Sequence, residues 1–301
     1  MIEKKFVCIG HSTYDITLPV DEYPKENVKH RLKNHIECGG GPASNAAYLL
    51  AKWGMNTTLI SVIGDDYYGK LILDEFKKVG ANTKYIEQKK SHQTSTSYII
   101  ANTSNGSRTV ITSKKDPVRN LSHDISIEAD YILIDGEHPE AALQVLLENK
   151  DAISVIDAGR LNKDTKMLGK QVDYLVCSKD FAEEFCKSKI DCKDINTIIE
   201  CYEKLKKYFK NTIVITLEAD GSFTEINGEY KKIPSISVKA VDSTGAGDIF
   251  HGAFTYFIGN GYTLEETIRL SSITSAISVT RIGSRLSVPD LKEVLEYDDV
   301  I

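Results

Sequence analysis

A short stretch of the chain places three small residues and a carboxylate at the point where a helical pattern begins. Residues 241–254 read VDSTGAGDIFHGAF, in which Asp248 and an apolar run follow Gly245, Ala246 and Gly247. The first N–H groups of a helix lack intrahelical partners and carry partial positive charge, and small residues let an anion approach them. We expect this turn to bind an anion. Asp248 is then placed to accept a proton from an attacking hydroxyl, as phosphoryl transfer to an alcohol requires.

An acid in the first turn of a helix also has a purely structural explanation. Asp248 would then complement the helix dipole, and the neighbouring glycines would allow tight packing. For an isolated G-x-G-D sequence this structural explanation is the more common one. The choice between the two therefore depends on the rest of the chain.

The overall composition argues against several classes of protein. The 301 residues carry a formal net charge of −6 and have a pI near 5.7, whereas nucleic acids and anionic membranes favour broad basic surfaces. No apolar stretch approaches the roughly 20 residues of a membrane span, and MIEKKFVCIG leads into a strand-like run rather than a signal peptide. We therefore expect a cytoplasmic protein that binds neither nucleic acid nor membrane.

The cysteines are scattered along the chain and form no C-x-x-C pair. They are Cys8, Cys38, Cys177, Cys186, Cys192 and Cys201. Such spacing indicates neither a zinc site nor a disulfide framework. We expect all six to be free thiols.

Short β-branched runs alternate with helical patterns along most of the chain. Six runs are typical of buried strands: 4–10, 57–64, 130–136, 152–159, 173–178 and 212–218. Apolar residues recur at helical spacing in six further segments: 43–54, 68–80, 139–150, 195–209, 247–259 and 264–280. This alternation predicts an α/β fold of three layers, with a mostly parallel sheet flanked by helices, in a single domain of residues 1–301.

Two segments, 11–37 and 92–113, lack strong helical periodicity. The second contains TSTSYIIANT and SRTVIT on either side of the turn SNG, which is typical of paired strands. We expect the two segments to form a small sheet beside the main one, called the lid below. The open face of this sheet needs cover, either by closing over a ligand or by pairing with a second subunit, and we therefore predict a homodimer.

Three motifs resemble signatures of the ribokinase-like, or PfkB, family of carbohydrate kinases. DSTGAGDIFHGAF (242–254) is similar to the C-terminal motif D-T-x-A/G-A-G-D. GGGPASNAAYLLAKWG (39–54) is similar to the N-terminal motif G-G-x-x-x-N-x-A, and VIGDDYYG (62–69) to V-G-x-D-x-x-G. The motifs follow the order of the family and span nearly the whole chain. The resemblance implies a ribokinase-like fold, a sugar substrate, and ATP used with Mg²⁺.

The resemblance also implies roles for residues at matching positions. Asp248 would be the catalytic base, and the anion hole for the transferred phosphate would be formed by Gly245, Ala246 and Gly247. The sugar would be bound by Asp15, Gly40, Gly41, Asn45, Arg108, Glu137 and Arg160. The nucleotide would be bound by Ser178, Thr216, Gly221 and Thr244. Many relatives are activated by K⁺, which would here be held by Asp242, Thr244 and the loop 281–287.

Two sugar-binding positions have equally plausible structural explanations when each is taken alone. Asn45 could cap the helix that begins near it. Asp15 could form an Asx turn. Their assignment to the sugar site therefore depends on the family resemblance.

Two departures from the family pattern affect the nucleotide site. The motif N-x-x-E, linked to magnesium, is replaced by CSKDF, with Ser178 in place of Asn and Phe181 in place of Glu. Magnesium usually keeps several waters and binds the nucleotide phosphates, so its use is still expected. In TLEADG, Glu218 replaces a glycine of T-x-G-x-x-G and receives no role.

The expected function is transfer of the γ-phosphoryl group of ATP to a hydroxyl of a small sugar, most readily a primary hydroxyl, as in fructokinases and ribokinases. A nucleoside is one alternative substrate. A phosphosugar is another, kept open by the cations Arg31, Arg108, Lys114 and Lys115. From a different class, a sugar- or nucleotide-binding regulator without catalysis is an alternative that the intact Asp248 argues against. A dehydrogenase is excluded because no G-x-G-x-x-G follows the first strand.

Overall fold

The computed structural model describes residues 4–113, 121 and 125–298. The strands within these residues are β1 (Lys5–Ile9), β2 (Thr13–Val20), β3 (Ile36–Gly40), β4 (Asn56–Gly64), β5 (Ile86–Lys89), β6 (Ser95–Asn102), β7 (Arg108–Ser113), β8 (Tyr131–Ile134), β9 (Ile153–Ala158), β10 (Tyr174–Ser178), β11 (Thr212–Thr216), β12 (Ser222–Ile226) and β13 (Glu229–Ile233). The α-helices are α1 (Pro42–Lys52), α2 (Tyr67–Lys78), α3 (Pro139–Glu148), α4 (Lys163–Leu168), α5 (Lys179–Cys186), α6 (Ile195–Tyr208), α7 (Ala246–Gly259), α8 (Leu264–Ser278) and α9 (Leu291–Asp298).

The larger sheet is mostly parallel, as predicted. Its strand order is β13-β12-β11-β10-β9-β8-β1-β4-β5. The seven strands from β11 to β5 run parallel, and β12 and β13 extend the edge in antiparallel pairing. Strands buried on both faces read as continuous apolar runs, as FVCI in β1 and ILI in β8 do.

Helices cover both faces of this sheet. Successive side chains of a strand point to opposite faces, so Val7 of β1 packs among α3, α4, α5 and α6, whereas Cys8 packs among α1, α2, α7 and α8. The three-layer prediction is therefore confirmed. In the described part of the chain, no helix combines the length and the apolar character that crossing a membrane requires.

The predicted small sheet is present, in the order β3-β2-β6-β7. Register places Asp15 in one row with Cys38, Ser97 and Thr112. The preceding residue, Tyr14, points to the opposite face and stacks on Tyr68 of α2, with ring centroids 4.8 Å apart. The lid thus rests on α2 by one face and presents Asp15 on the other.

The prediction that all six cysteines are free thiols is wrong for two of them. Cys186 of α5 and Cys201 of α6 form a disulfide, with Cα atoms 5.7 Å apart. The helix α5 was not among the predicted helices, so the packing of α5 against α6 that brings these two residues together was not foreseen. The other four cysteines are thiols.

Candidate active site

The turn before α7 combines a left-handed backbone with open space in front of the helix. Gly245 is the N-cap residue, with a φ of 74°, and no side chain caps the helix. A Cβ on Gly245 would lie 2.9 Å from the Cβ of Ser284 and 3.4 Å from Nδ2 of Asn45. A Cβ on Gly247 would meet no atom within 4 Å. This N-terminus, which begins at Ala246, can therefore receive an anion.

Asp248 lies in the first turn of α7 and is hydrogen bonded to Asn45. Nδ2 of Asn45 donates to Oδ2 of Asp248 over 2.7 Å. Burial raises the pKa of the Asp248 carboxyl, while the Asn45 hydrogen bond and electrostatic attraction from His251 and Arg108 oppose that rise. A carboxylate with a raised pKa at this place is suited to accept a proton.

Asp15 of the lid sheet meets this pair from the other side. Its side chain is only 4% exposed, and Oδ2 accepts a hydrogen bond of 2.9 Å from the hydroxyl of Ser284. Burial raises the pKa of Asp15 to about 6 against the effect of this bond, and the nearby Asp248 raises it further. A Cβ on Gly40 would lie 2.1 Å from Oδ2 of Asp15, so only glycine leaves room for the carboxylate.

The start of α1 is held by Asp135, which follows β8. Oδ2 of Asp135 accepts hydrogen bonds from the backbone N–H groups of His11 (2.8 Å) and Ala43 (3.1 Å). Oδ1 accepts from the N–H of Glu137 over 2.9 Å. Burial raises the pKa of Asp135 to about 7 despite these bonds. Gly41, the N-cap of α1, has a φ of 96°. Asp135 thus links the start of α1, which follows Gly41, to the backbone of Glu137.

Arg108 brings the tip of the lid to the anion-binding turn. Its Nη1 donates to the hydroxyl of Ser243 over 2.7 Å, and the N–H of Ser243 donates to the carbonyl oxygen of Gly106 over 3.1 Å. A Cβ on Gly106 would lie 2.5 Å from the Cβ of Ala240, so the tip packs closely on the chain that leads into the turn. Arg108 is close enough to act electrostatically on Asp248.

Ser178 and Phe181 stand where the family places a motif linked to magnesium. The hydroxyl of Ser178 caps α5 by accepting from the N–H of Phe181 over 3.0 Å, and it donates to the carbonyl oxygen of Gly159 over 2.8 Å. Across the described ranges, no group of three His, Cys, Asp or Glu side chains is arranged to hold a metal. Neither Ser178 nor Phe181 supplies a carboxylate, so Mg²⁺ at this place would be held mainly by nucleotide phosphates and water.

The other predicted nucleotide residues follow β11. Thr216 ends that strand and pairs in register with Ser178 of β10, which places the two hydroxyls at neighbouring strand ends. Gly221 has a φ of 91°, and a Cβ on it would lie 2.1 Å from the carbonyl oxygen of Ile233. Glu218, which replaces a family glycine, has a φ of 55° and so keeps the left-handed backbone that a glycine favours.

The residues predicted to hold a monovalent cation are tied to each other and to the loop 281–287. Oδ1 of Asp242 accepts from the N–H (2.9 Å) and the hydroxyl (2.6 Å) of Thr244. Oδ2 of Asp242 accepts from the N–H of Gly283 over 2.9 Å. This network joins the anion-binding turn to the loop, while K⁺ binding itself stays a prediction.

Two of the arginine side chains considered in the sequence analysis lie at the surface. Arg160 follows β9 and is exposed, and Arg31 is exposed between β2 and β3. Lys114 and Lys115 lie outside the described residues. Of the four cations that keep a phosphosugar substrate open, the structure brings Arg108 to the site.

The sequence did not reveal several residues that support the site. Nδ1 of His251 lies 2.6 Å from the carbonyl oxygen of Gly247 and 3.1 Å from Oδ2 of Asp157. This histidine ties the first turn of α7 to the end of β9, where burial raises the pKa of Asp157 to about 6. Ser284 donates a hydrogen bond to Asp15, and Arg285 donates one to Asn45. Both lie in the loop sequence GSRLS, which carries no recognisable motif. For Asp157 the available signal was its position at the end of a buried strand. Ser284 and Arg285 were named only as part of the loop 281–287 predicted to hold K⁺.

Comparisons with known proteins agree with the motifs. Residues 3–291 match the family described as pfkB family carbohydrate kinase. A ribokinase of Haemophilus influenzae is 26% identical over 308 aligned residues, which cover 98% of this chain and 99% of that protein. The solved ribokinase of Thermotoga maritima is 25% identical with a TM-score of 0.78, over 99% of this chain and 100% of that one. The Arabidopsis thaliana ribokinase solved with ribose and ATP is similar in fold, with 23% identity, a TM-score of 0.76 and 98% coverage of both chains.

Proposed function

Because the chain belongs to the pfkB family of carbohydrate kinases, we propose that it transfers the γ-phosphoryl group of ATP to a hydroxyl of a small, unphosphorylated sugar. The observation that carries this proposal is the meeting of Asp248, Asn45 and Asp15 in front of an uncapped helix N-terminus. Similarity to ribokinases across the chain supports a pentose-like substrate. The ATP bound by the Arabidopsis ribokinase supports the same donor here.

The catalytic step follows from the placement of Asp248. Its carboxylate accepts the proton of the sugar hydroxyl as that oxygen attacks the γ-phosphorus. The bond from the γ-phosphorus to the bridging oxygen breaks, and ADP leaves with the electron pair. The N–H groups of Gly245, Ala246 and Gly247 at the start of α7 stabilise the negative charge on the transferred group.

The remaining predicted residues orient the sugar. Asp15 accepts hydrogen bonds from sugar hydroxyls, and Asn45 can both donate and accept them. The absence of side chains at Gly40 and Gly41 makes room for the Asp15 carboxylate and for the backbone of His11, so these glycines shape the proposed sugar site. Arg108 would close the lid over the bound sugar, since it already reaches the turn before α7.

Metal ions enter this proposal in two ways. Mg²⁺ bound to ATP would neutralise phosphate charge during transfer. K⁺ near Asp242 and Thr244 would act electrostatically on the anion-binding turn without touching the sugar. Neither ion changes the role assigned to Asp248.

An assay of ADP production over a panel of acceptors tests the proposal. The panel contains ribose, deoxyribose, fructose, a phosphorylated form of each of these sugars, and a nucleoside. The Asp248→Asn protein serves as the control. We expect the highest kcat/KM with an unphosphorylated sugar and a near-complete loss in the control. If a phosphosugar or the nucleoside is preferred, the substrate belongs to that class and not to the unphosphorylated sugars. Sugar or ATP binding without turnover would favour a regulator.

A further inference from the structure

Arg285 is a buried cation in the loop that follows α8. Its side chain is 1% exposed, and the guanidinium lies 4.5 Å from the ring centroid of Phe76. Nη1 donates to Oε2 of Glu75 over 2.8 Å, and Nη2 donates to the hydroxyl of Ser44. Both carboxylate oxygens of Glu75 also accept from the N–H of Gly39. Since a buried charge is costly unless it is paired and hydrogen bonded, this set of partners is what holds the guanidinium in place.

The remaining nitrogen of this guanidinium reaches the site. Nε of Arg285 donates to Oδ1 of Asn45 over 3.3 Å, and Nδ2 of Asn45 donates to Asp248 over 2.7 Å. A guanidinium has no acceptor, and an ionised carboxylate has no donor. A flipped amide would therefore turn an N–H group towards Arg285 and an oxygen towards Asp248. Both contacts would be repulsive.

We propose that Arg285 is a positioning residue that fixes the orientation of the Asn45 amide, so that Asn45 always donates to the proposed base Asp248. The proposal rests on the proposed function, because only a reacting Asp248 makes this orientation matter. Arg285 does not touch the substrate. It acts through Asn45.

The surrounding backbone is shaped to hold the loop and the guanidinium. A Cβ on Gly39 would lie 2.0 Å from Nη1 of Arg285, so the absence of a side chain at Gly39 makes room for the guanidinium. The loop itself is tied at two earlier positions, where Gly283 donates to Asp242 and Ser284 donates to Asp15. The loop thus supports both Asp15 and Asn45.

Loss of Arg285 would free the amide to rotate and weaken its bond to Asp248. Four other charged or titratable groups face Asp248. His251 lies on the same helix, α7, and the other three are Arg108 on β7, Asp157 on β9 and Asp15 on β2. None of these is hydrogen bonded to the Arg285 guanidinium among the described contacts, but the charge of Arg285 lowers the pKa of Asp15. The test therefore uses the pH profile of kcat at saturating sugar, where the proposed base rather than sugar binding sets the acid limb. Because the Asn45 bond lowers the pKa of Asp248, its loss should move the acid limb of the kcat profile to higher pH.

A double-mutant cycle tests the proposal. Arg285→Met made together with Glu75→Gln, Asn45→Ala, and the variant that combines them are compared with the unsubstituted parent. Glu75→Gln accompanies each loss of Arg285 so that no buried carboxylate is left without its cation, and the parent keeps the intact pair. Arg285→Met should lower kcat/KM on the best sugar on the order of 10- to 100-fold, the range for a hydrogen bond to a charged group. In the Asn45→Ala background the same change should have an effect of about twofold or less, because the residue it orients is gone.

Arg269→Met is the matched control, since Arg269 lies on α8, outside this loop, and pairs with Asp298 of α9. It should leave the pH profile unchanged, whereas Arg285→Lys should restore part of the lost kcat. Additive losses in the cycle, or an unmoved acid limb with Arg285→Met, would overturn the role of Arg285 in an otherwise active enzyme. A parent protein that phosphorylates no sugar would contradict the proposed function and this role with it.

Discussion

The carboxylate of Asp248 can be tested by a substitution that preserves its size. Asp248→Asn retains much of the hydrogen bonding but cannot accept the proton of the sugar hydroxyl. Turnover should fall by roughly 10²- to 10⁴-fold, the range typical of general-base loss, and the Kd values for sugar and ATP should change far less. A residue that only complements the dipole at the start of α7 would instead affect stability by about 0.3–1 kcal/mol. Near-native turnover in a folded Asp248→Asn protein would rule out the base.

Asp15 should make sugar binding and stability respond to pH in opposite directions. Its pKa is raised by burial from 3.8 to about 6, so the ionised form that accepts sugar hydroxyls is lost as the pH falls below 6. The KM for sugar should therefore rise between pH 7 and pH 5. Since the folded pKa exceeds the unfolded one, the contribution of Asp15 to stability is full below pH 3.8 and is lost as the pH rises through 6.

Steady-state kinetics and urea unfolding over this pH range measure the two responses. The Asp15→Asn protein is the comparison, because it lacks the titrating group. Its KM should be higher at neutral pH and should lose the rise below pH 6. An identical pH dependence of KM in both proteins would assign that titration to another group.

The turn before α7 should respond to substitutions in a position-dependent way. Gly245→Val places a branched residue at a φ of 74° and within 2.9 Å of Ser284, so both the melting temperature and turnover should fall. Gly247→Ala is the matched control for the fold, because a Cβ there meets no atom within 4 Å. Its melting temperature should be unchanged while its turnover falls, since the methyl group enters the space proposed for the phosphate. Full turnover with Gly247→Ala would argue against an anion hole at this turn.

The elements foreseen from the sequence are those with long or strongly apolar patterns. Buried parallel strands such as β1 and β11 stand out as β-branched runs, and the long helices show clear apolar spacing. The helices α4, α5 and α9 have only six to eight residues and offer too few periods to be recognised. The exposed strand β13 reads EYKKI and lacks the apolar run of a buried strand.

The residues of the candidate site also differ in how readily the sequence identifies them. Asn45 and Asp248 were identified because each belongs to a local motif, and Asp15 because its position after the first strand matches the family's sugar-binding acid. Arg285 and Ser284 belong to none, and their partners lie more than 200 positions away along the chain. A contact of this kind follows from tertiary packing alone and has no local pattern in the sequence.

For the molecule as a whole, the exposed lid edge predicts association. All six residues of β7 are exposed, including Val110 at 47% and Ile111 at 58%, and within residues 4–113, 121 and 125–298 β7 is the last strand of its sheet. An open apolar edge invites pairing with a second copy. Light scattering at micromolar concentration should give a dimer, and Ile111→Lys should shift it towards monomer. A monomer in the unsubstituted protein would contradict this prediction.

Contacts between residues that are far apart in the sequence also determine when, during its own synthesis, the enzyme can become active. Ser284 and Asp15 are 269 positions apart, and Asn45 and Asp248 are 203 apart. Contacts of such high sequence separation close long loops and tend to form late in folding. A nascent chain that has released its first strands from the ribosome already carries Asp15 and Asn45, but their partners are still unmade. Phosphoryl transfer therefore becomes available only after Asp248 and Ser284 have been translated, so copies that stop before these residues should consume no ATP.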